Sequence, residues 1–179
     1  MKSITINEII WHQFGATIDM LDNALQACPN ELWQARLYDE REIKPEFAEF
    51  WYIAYHALFW LDFYLSETAE GFAPPAPFTL SEFEAGLLPE RVYTKAELRS
   101  YLQYGRNKCR TSLDTLTDVQ APQQVRANWH IKSVAELHIY NLRHVQEHAA
   151  QLALFLGQNV GTAPGWVGRA QNKGTAEQS

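Results

Sequence analysis

The sequence predicts an all-α protein, a four-helix bundle. Apolar residues recur at three- and four-residue spacing in four long segments. Three of those segments open on a Ser/Thr-x-x-Glu capping sequence, and no stretch alternates as a strand would over a useful length. Four long helices with one longer connection are the pattern of a bundle. There is no internal repeat and no sustained heptad.

The elements follow in order. Thr5 and Glu8 cap a first helix whose apolar stripe is Ile10, Phe14, Ile18, Leu21 and Leu25, and Pro29 stops it. A short helical turn over 30–37 comes next. Pro45 suits the first turn of a second helix, which runs to about Ser66 and is apolar on nearly every side, so it belongs at the centre. Residues 70–90 are rich in proline, and Ser81 with Glu84 predicts a short capped helix inside them. This segment is too long for a simple connector and reads as a crossover rather than a lid. Thr94 and Glu97 cap a third helix with Leu98, Leu102, Gly105, Cys109 and Leu113 on one face. Ser133 and Glu136 cap a fourth, expected to end at Gly157. The bundle thus occupies 1–157, and 158–179 forms a tail partly docked through Trp166.

Composition narrows the functional classes. The chain has 179 residues, 46% of them hydrophobic, enough for one core without staples. A net charge of −6 and the lack of a basic cluster argue against nucleic acid as a partner. The longest apolar run, 47–65, carries Glu49, His56 and Asp62, which fits a buried helix better than a membrane span. The N-terminus lacks the pattern of a signal peptide, and two cysteines, Cys28 and Cys109, make no disulfide framework. A cytoplasmic protein is the expectation.

The candidate chemistry lies in histidines. His144 and His148 stand one helical turn apart on the same face of the fourth helix. They interrupt a core-facing stripe of Val134, Leu137, Asn141 and Phe155. A buried polar patch must be satisfied, and a divalent transition metal such as Zn²⁺ or Ni²⁺ does so for two neutral imidazoles. His56, midway along the second helix among Tyr52, Ile53, Phe59 and Trp60, is the third candidate ligand. Facing helices commonly build bundle metal sites in this way. By helical spacing, Asn141, Tyr52, Trp60 and Gln151 would line a substrate pocket beside the triad. His12, His130 and His138 are assigned structural or surface roles. The letters His-x-x-Glu-His at 144–148 match the inverzincin motif, but nothing around them is protease-like. Glu147 points away from the stripe, and no phosphate loop or nucleophile elbow is present.

The combination of AYHALFWLDFYL on the second helix with HVQEHAAQL on the fourth resembles the DinB/YfiT-like superfamily of metalloenzymes. The resemblance spans about residues 5–157 and rests on helix order and three positions. It implies an up-down-down-up bundle, often a homodimer, with Zn²⁺ or Ni²⁺ held by His56, His144 and His148. It also implies thiol-dependent transfer or isomerisation of a small molecule. The long 70–90 segment and the Trp-containing tail depart from the family outline.

Two functions follow. The first is a metal-dependent transferase or hydrolase that activates a low-molecular-weight thiol or water toward a small electrophile. The second is a non-catalytic, stress-related metal- or ligand-binding protein. An apolar surplus on the fourth helix adds the expectation of a homodimer.

Overall fold

The computed structural model describes residues 4–39, 41, 44–66, 70–117, 131 and 133–170. Four α-helices make up the framework: α1 (Ile6–Ala27), α2 (Phe50–Tyr64), α3 (Lys95–Asp114) and α4 (Val134–Val160). Among the described residues there is no strand, only an isolated bridge between Arg36 and Glu49. The principal packing pairs are α1 with α4, α2 with α4, α1 with α3, and α2 with α3. Consecutive helices α1 and α2 therefore occupy diagonal corners of the bundle.

Local chemistry sets the helix ends. Thr5 and Glu8 form a reciprocal capping box on α1, as do Thr94 and Glu97 on α3. The Ser133 hydroxyl accepts from the Glu136 amide on α4. Helix α4 does not stop at Gly157. It continues to Val160 and ends at Gly161, whose φ of 77° is the left-handed conformation glycine adopts freely. The expected boundary at 157 thus falls inside the helix.

Helix α2 is central, as its all-round apolarity predicts. All its residues are buried except His56 and Trp60, which are half-buried. Asp62, with no exposed surface, accepts from Lys108 Nζ at 2.5 Å and from the Tyr101 hydroxyl at 3.0 Å. That pairing is what lets a charge sit in the core. The start of the second helical segment is modified. Pro45–Ala48 is a separate 3₁₀ turn, and α2 proper begins at Phe50.

Two connections differ from expectation. Ser81–Phe83 forms a 3₁₀ turn, but Ser81 caps nothing, because its hydroxyl faces inward within 3.2 Å of the Tyr55 hydroxyl. The crossover lies across α2, with Phe72 and Phe83 edge-on to Phe59 and Phe63. It therefore also covers the helix it passes. The tail does not dock through Trp166, which is 74% exposed. It docks through Ala170, whose amide donates to the His12 carbonyl at 2.8 Å. Ala170 packs over Gly15, where a side chain would meet its Cβ at 2.6 Å.

Among the described residues, no helix is long and apolar enough to cross a membrane.

Candidate metal centre

Helices α2 and α4 bring His56, His144 and His148 to one point. One ring nitrogen from each lies within 4.8 Å of the others, close enough to hold a metal ion. The Nε2 atoms of His56 and His144 are 3.3 Å apart, and those of His144 and His148 are 3.1 Å apart.

The other face of each ring fixes its tautomer. His56 Nδ1 lies 2.7 Å from Glu82 Oε2, and His148 Nδ1 lies 2.9 Å from Gln151 Oε1. Both partners are acceptors, so both Nδ1 atoms carry a proton, and Nε2 is the atom each neutral ring offers as a ligand. A proton on His144 Nε2 could reach only one of them. His144 Nδ1 is buried and has no hydrogen-bond partner among the described residues.

A tetrahedral ion with metal–nitrogen bonds of 2.0–2.1 Å sets ligand nitrogens about 3.3–3.4 Å apart. The His56–His144 and His144–His148 separations, 3.3 and 3.1 Å, are close to that. Three imidazoles aiming their Nε2 atoms at one point are the donor set a d-block cation satisfies. At His144 and His148 the neutral form is favoured locally. Burial, and the proximity of His148 and His56, pull the His144 pKa down to about 3. Burial and His56 likewise lower that of His148.

Glu82 is the residue that the sequence did not reveal. Its side chain is 5% exposed and comes from the 3₁₀ turn in the crossover. Oε2 accepts from His56 and from Trp60 Nε1 at 2.9 Å, while Oε1 accepts from the Tyr52 hydroxyl at 2.5 Å. Burial alone would raise its pKa, but the hydrogen bond and Coulomb attraction of His56, with hydrogen bonds from Tyr52 and Trp60, outweigh that and hold it below the ordinary value. The three donors, at 52, 56 and 60, form one stripe along α2. The signal available was an acid between Leu80 and Phe83, but irregular backbone offers no periodicity to aim it.

The four expected pocket residues divide. Tyr52 lines a cavity of about 350 Å³ that also touches His56 and His148. Trp60 reaches the site through Glu82 and does not line that cavity. Gln151 supports His148 from behind. Asn141 is not a pocket residue: it has no exposed surface, and its Nδ2 donates to the Leu61 carbonyl at 3.0 Å. Helical spacing put it on the right face, but α2 closes over it.

The remaining histidines behave as expected where they are described. His138 is buried and bonded to the Val134 carbonyl and Ser112. His12 meets the Arg169 guanidinium at 2.6 Å. His130 lies outside the described residues. Cys28 and Cys109 are buried free thiols, and burial raises the pKa of both, the former to about 11. Neither has the depressed pKa of a reactive thiol.

Neither protein families, nor curated proteins, nor solved structures give a significant match to this chain.

Proposed function

We propose that the chain is a metal-dependent enzyme of the DinB/YfiT-like kind, in which His56, His144 and His148 hold Zn²⁺ or Ni²⁺ and a small thiol or water is activated toward a small electrophile. The observation that carries this reading is the convergence of three Nε2 atoms beside an accessible cavity. A sealed, fully ligated centre would favour a structural role, whereas here His56 and His148 both line open space.

The bound metal would supply Lewis acidity, lowering the pKa of a thiol or water at its open position. The chain's own residues prepare that position. Glu82 and Gln151 lock two imidazoles with their lone pairs inward. Tyr52 turns its hydroxyl onto Glu82 and so presents its ring, not a competing donor, to the cavity. Burial pushes the Tyr52 pKa well above the usual phenol range, so its proton stays in place at neutral pH.

The sense of the helix contacts supports the up-down-down-up arrangement. Along α1, Asn7, Asp19 and Asp22 meet Leu116, Arg106 and Arg99, so α1 and α3 run oppositely. Along α2, Phe50, His56 and Tyr64 meet Phe155, His144 and Tyr140, again in opposite order, whereas Phe14 and Thr17 on α1 meet His138 and Gln146 on α4 in the same order, so α1 and α4 are parallel. Exposed Ile139, Tyr140 and Leu154 on α4 support a homodimer, which sedimentation should report as a concentration-dependent doubling of mass.

Metal analysis tests the centre itself. Purified wild-type chain should carry metal near one equivalent per protomer, and His56→Ala, His144→Ala and His148→Ala should each lower content by about tenfold or more. Full retention in all three would remove the centre. Thiol-transfer assays with loaded and chelated protein then test the reaction.

A further inference from the structure

The cavity beside the triad has a chemical bias of its own. Its walls include Tyr38, Phe47, Tyr52, Ile53 and Leu87. Phe47 and Tyr52 meet edge-on, with ring centroids 4.8 Å apart. Two carboxylates, Glu82 and Glu84, contribute to the lining, and no Lys or Arg does among the described residues. Lys44 is not a lining residue, and its Nζ is committed to the carbonyl of Gly86, which is one, at 2.8 Å.

The two carboxylates are not equivalent. Both oxygens of Glu82 are taken by Tyr52, His56 and Trp60. The Glu84 carboxylate makes no hydrogen bond or ion pair among the described residues, and the residue is exposed at the cavity wall. An aromatic wall with an uncommitted carboxylate attracts cations through ring quadrupoles and Coulomb attraction together, and repels anions. At about 350 Å³ the space is at the small end of ligand pockets, so a ligand touching the triad also comes under the field of this wall.

We propose that the cavity selects small molecules carrying a cationic amine behind the metal-binding head, with Glu84 as the specificity-determining residue. This rests on the reading of the triad as a metal centre. It separates the chain from enzymes built for anionic thiols, which need Lys or Arg around the body of the ligand.

Three thiols that share a two-carbon chain make the test: cysteamine, 2-mercaptoethanol and 3-mercaptopropionate. They differ in carrying an ammonium, a hydroxyl or a carboxylate. Their dissociation constants are measured calorimetrically on protein of verified zinc content, for wild type, Glu84→Gln and Glu84→Lys. Intrinsic thiol acidity cancels when the cysteamine-to-mercaptopropionate ratio is compared between variants. That ratio should fall about threefold in Glu84→Gln and about tenfold in Glu84→Lys, with 2-mercaptoethanol little changed. Equal ratios in all three proteins overturn the selection by charge and leave the metal centre standing. No binding of any thiol to zinc-loaded wild type overturns the thiol-activating reading, and this inference with it.

Discussion

Glu82 receives three donors from successive turns of α2 and thereby does for His56 what Gln151 does for His148. A carboxylate behind a ligating imidazole fixes the ring and raises its basicity. Glu82→Gln keeps the shape but replaces an ionised acceptor with a neutral amide. Zinc affinity should weaken by about tenfold to a hundredfold, read by competition with a chromogenic chelator. An unchanged affinity would mean that the contact only tethers the crossover. At this scale the sequence was legible wherever helical geometry does the aiming. His144 and His148 are one turn apart on any helix, and His56 was found because it stands midway along the second helix, flanked by Tyr52, Ile53, Phe59 and Trp60 at helical spacing. Asn141 shows the limit, since spacing gives a face but not what packs over it. Glu82 shows the other limit, because an irregular segment has no phase from which direction can be read.

The helices were legible from caps and periodicity, and the connections were not. Gly157 looked like a terminus, yet the left-handed residue is Gly161, and Gly157 instead lets Ala163 approach, its Cβ 3.2 Å from where a side chain would begin. The crossover looked like a passive link, yet it delivers Glu82 to the centre and packs Phe72 and Phe83 on α2. The coupling must act both ways. If docking of the Ser81–Phe83 turn strengthens metal binding by some factor, bound metal strengthens docking of the turn by the same factor. Hydrogen exchange can measure this. Amides of Phe83 and Glu84, which donate to the Leu80 and Ser81 carbonyls, should exchange about tenfold or more slowly in zinc-loaded than in chelated protein. The capping-box amides of α3 near Glu97 should exchange equally in both states. Identical exchange at 83–84 would separate the turn from the centre.

For the molecule as a whole, the triad ties folding stability to pH in a direction that can be worked out. In the metal-free native state the His144 pKa lies at about 3 and that of His148 is also lowered, both chiefly by burial, against an ordinary value of 6.5. Below about pH 6.5 the unfolded chain binds protons at these rings that the native chain refuses. Stability is therefore at its full value above that pH and falls as acid is added, by about 1.4 kcal/mol per pH unit for each proton withheld. The loss from His144 continues until pH reaches about 3, where the native ring also protonates. Urea denaturation of chelated protein between pH 7 and pH 5 should show this slope. His144→Gln removes one titrating ring and should flatten it by about the contribution of one proton. Loaded protein should hold its stability further into acid and then lose it over a narrow interval, because metal release and imidazole protonation become one event. A slope identical in wild type and His144→Gln would show that the ring is solvated in the native state and that the bundle does not keep it neutral.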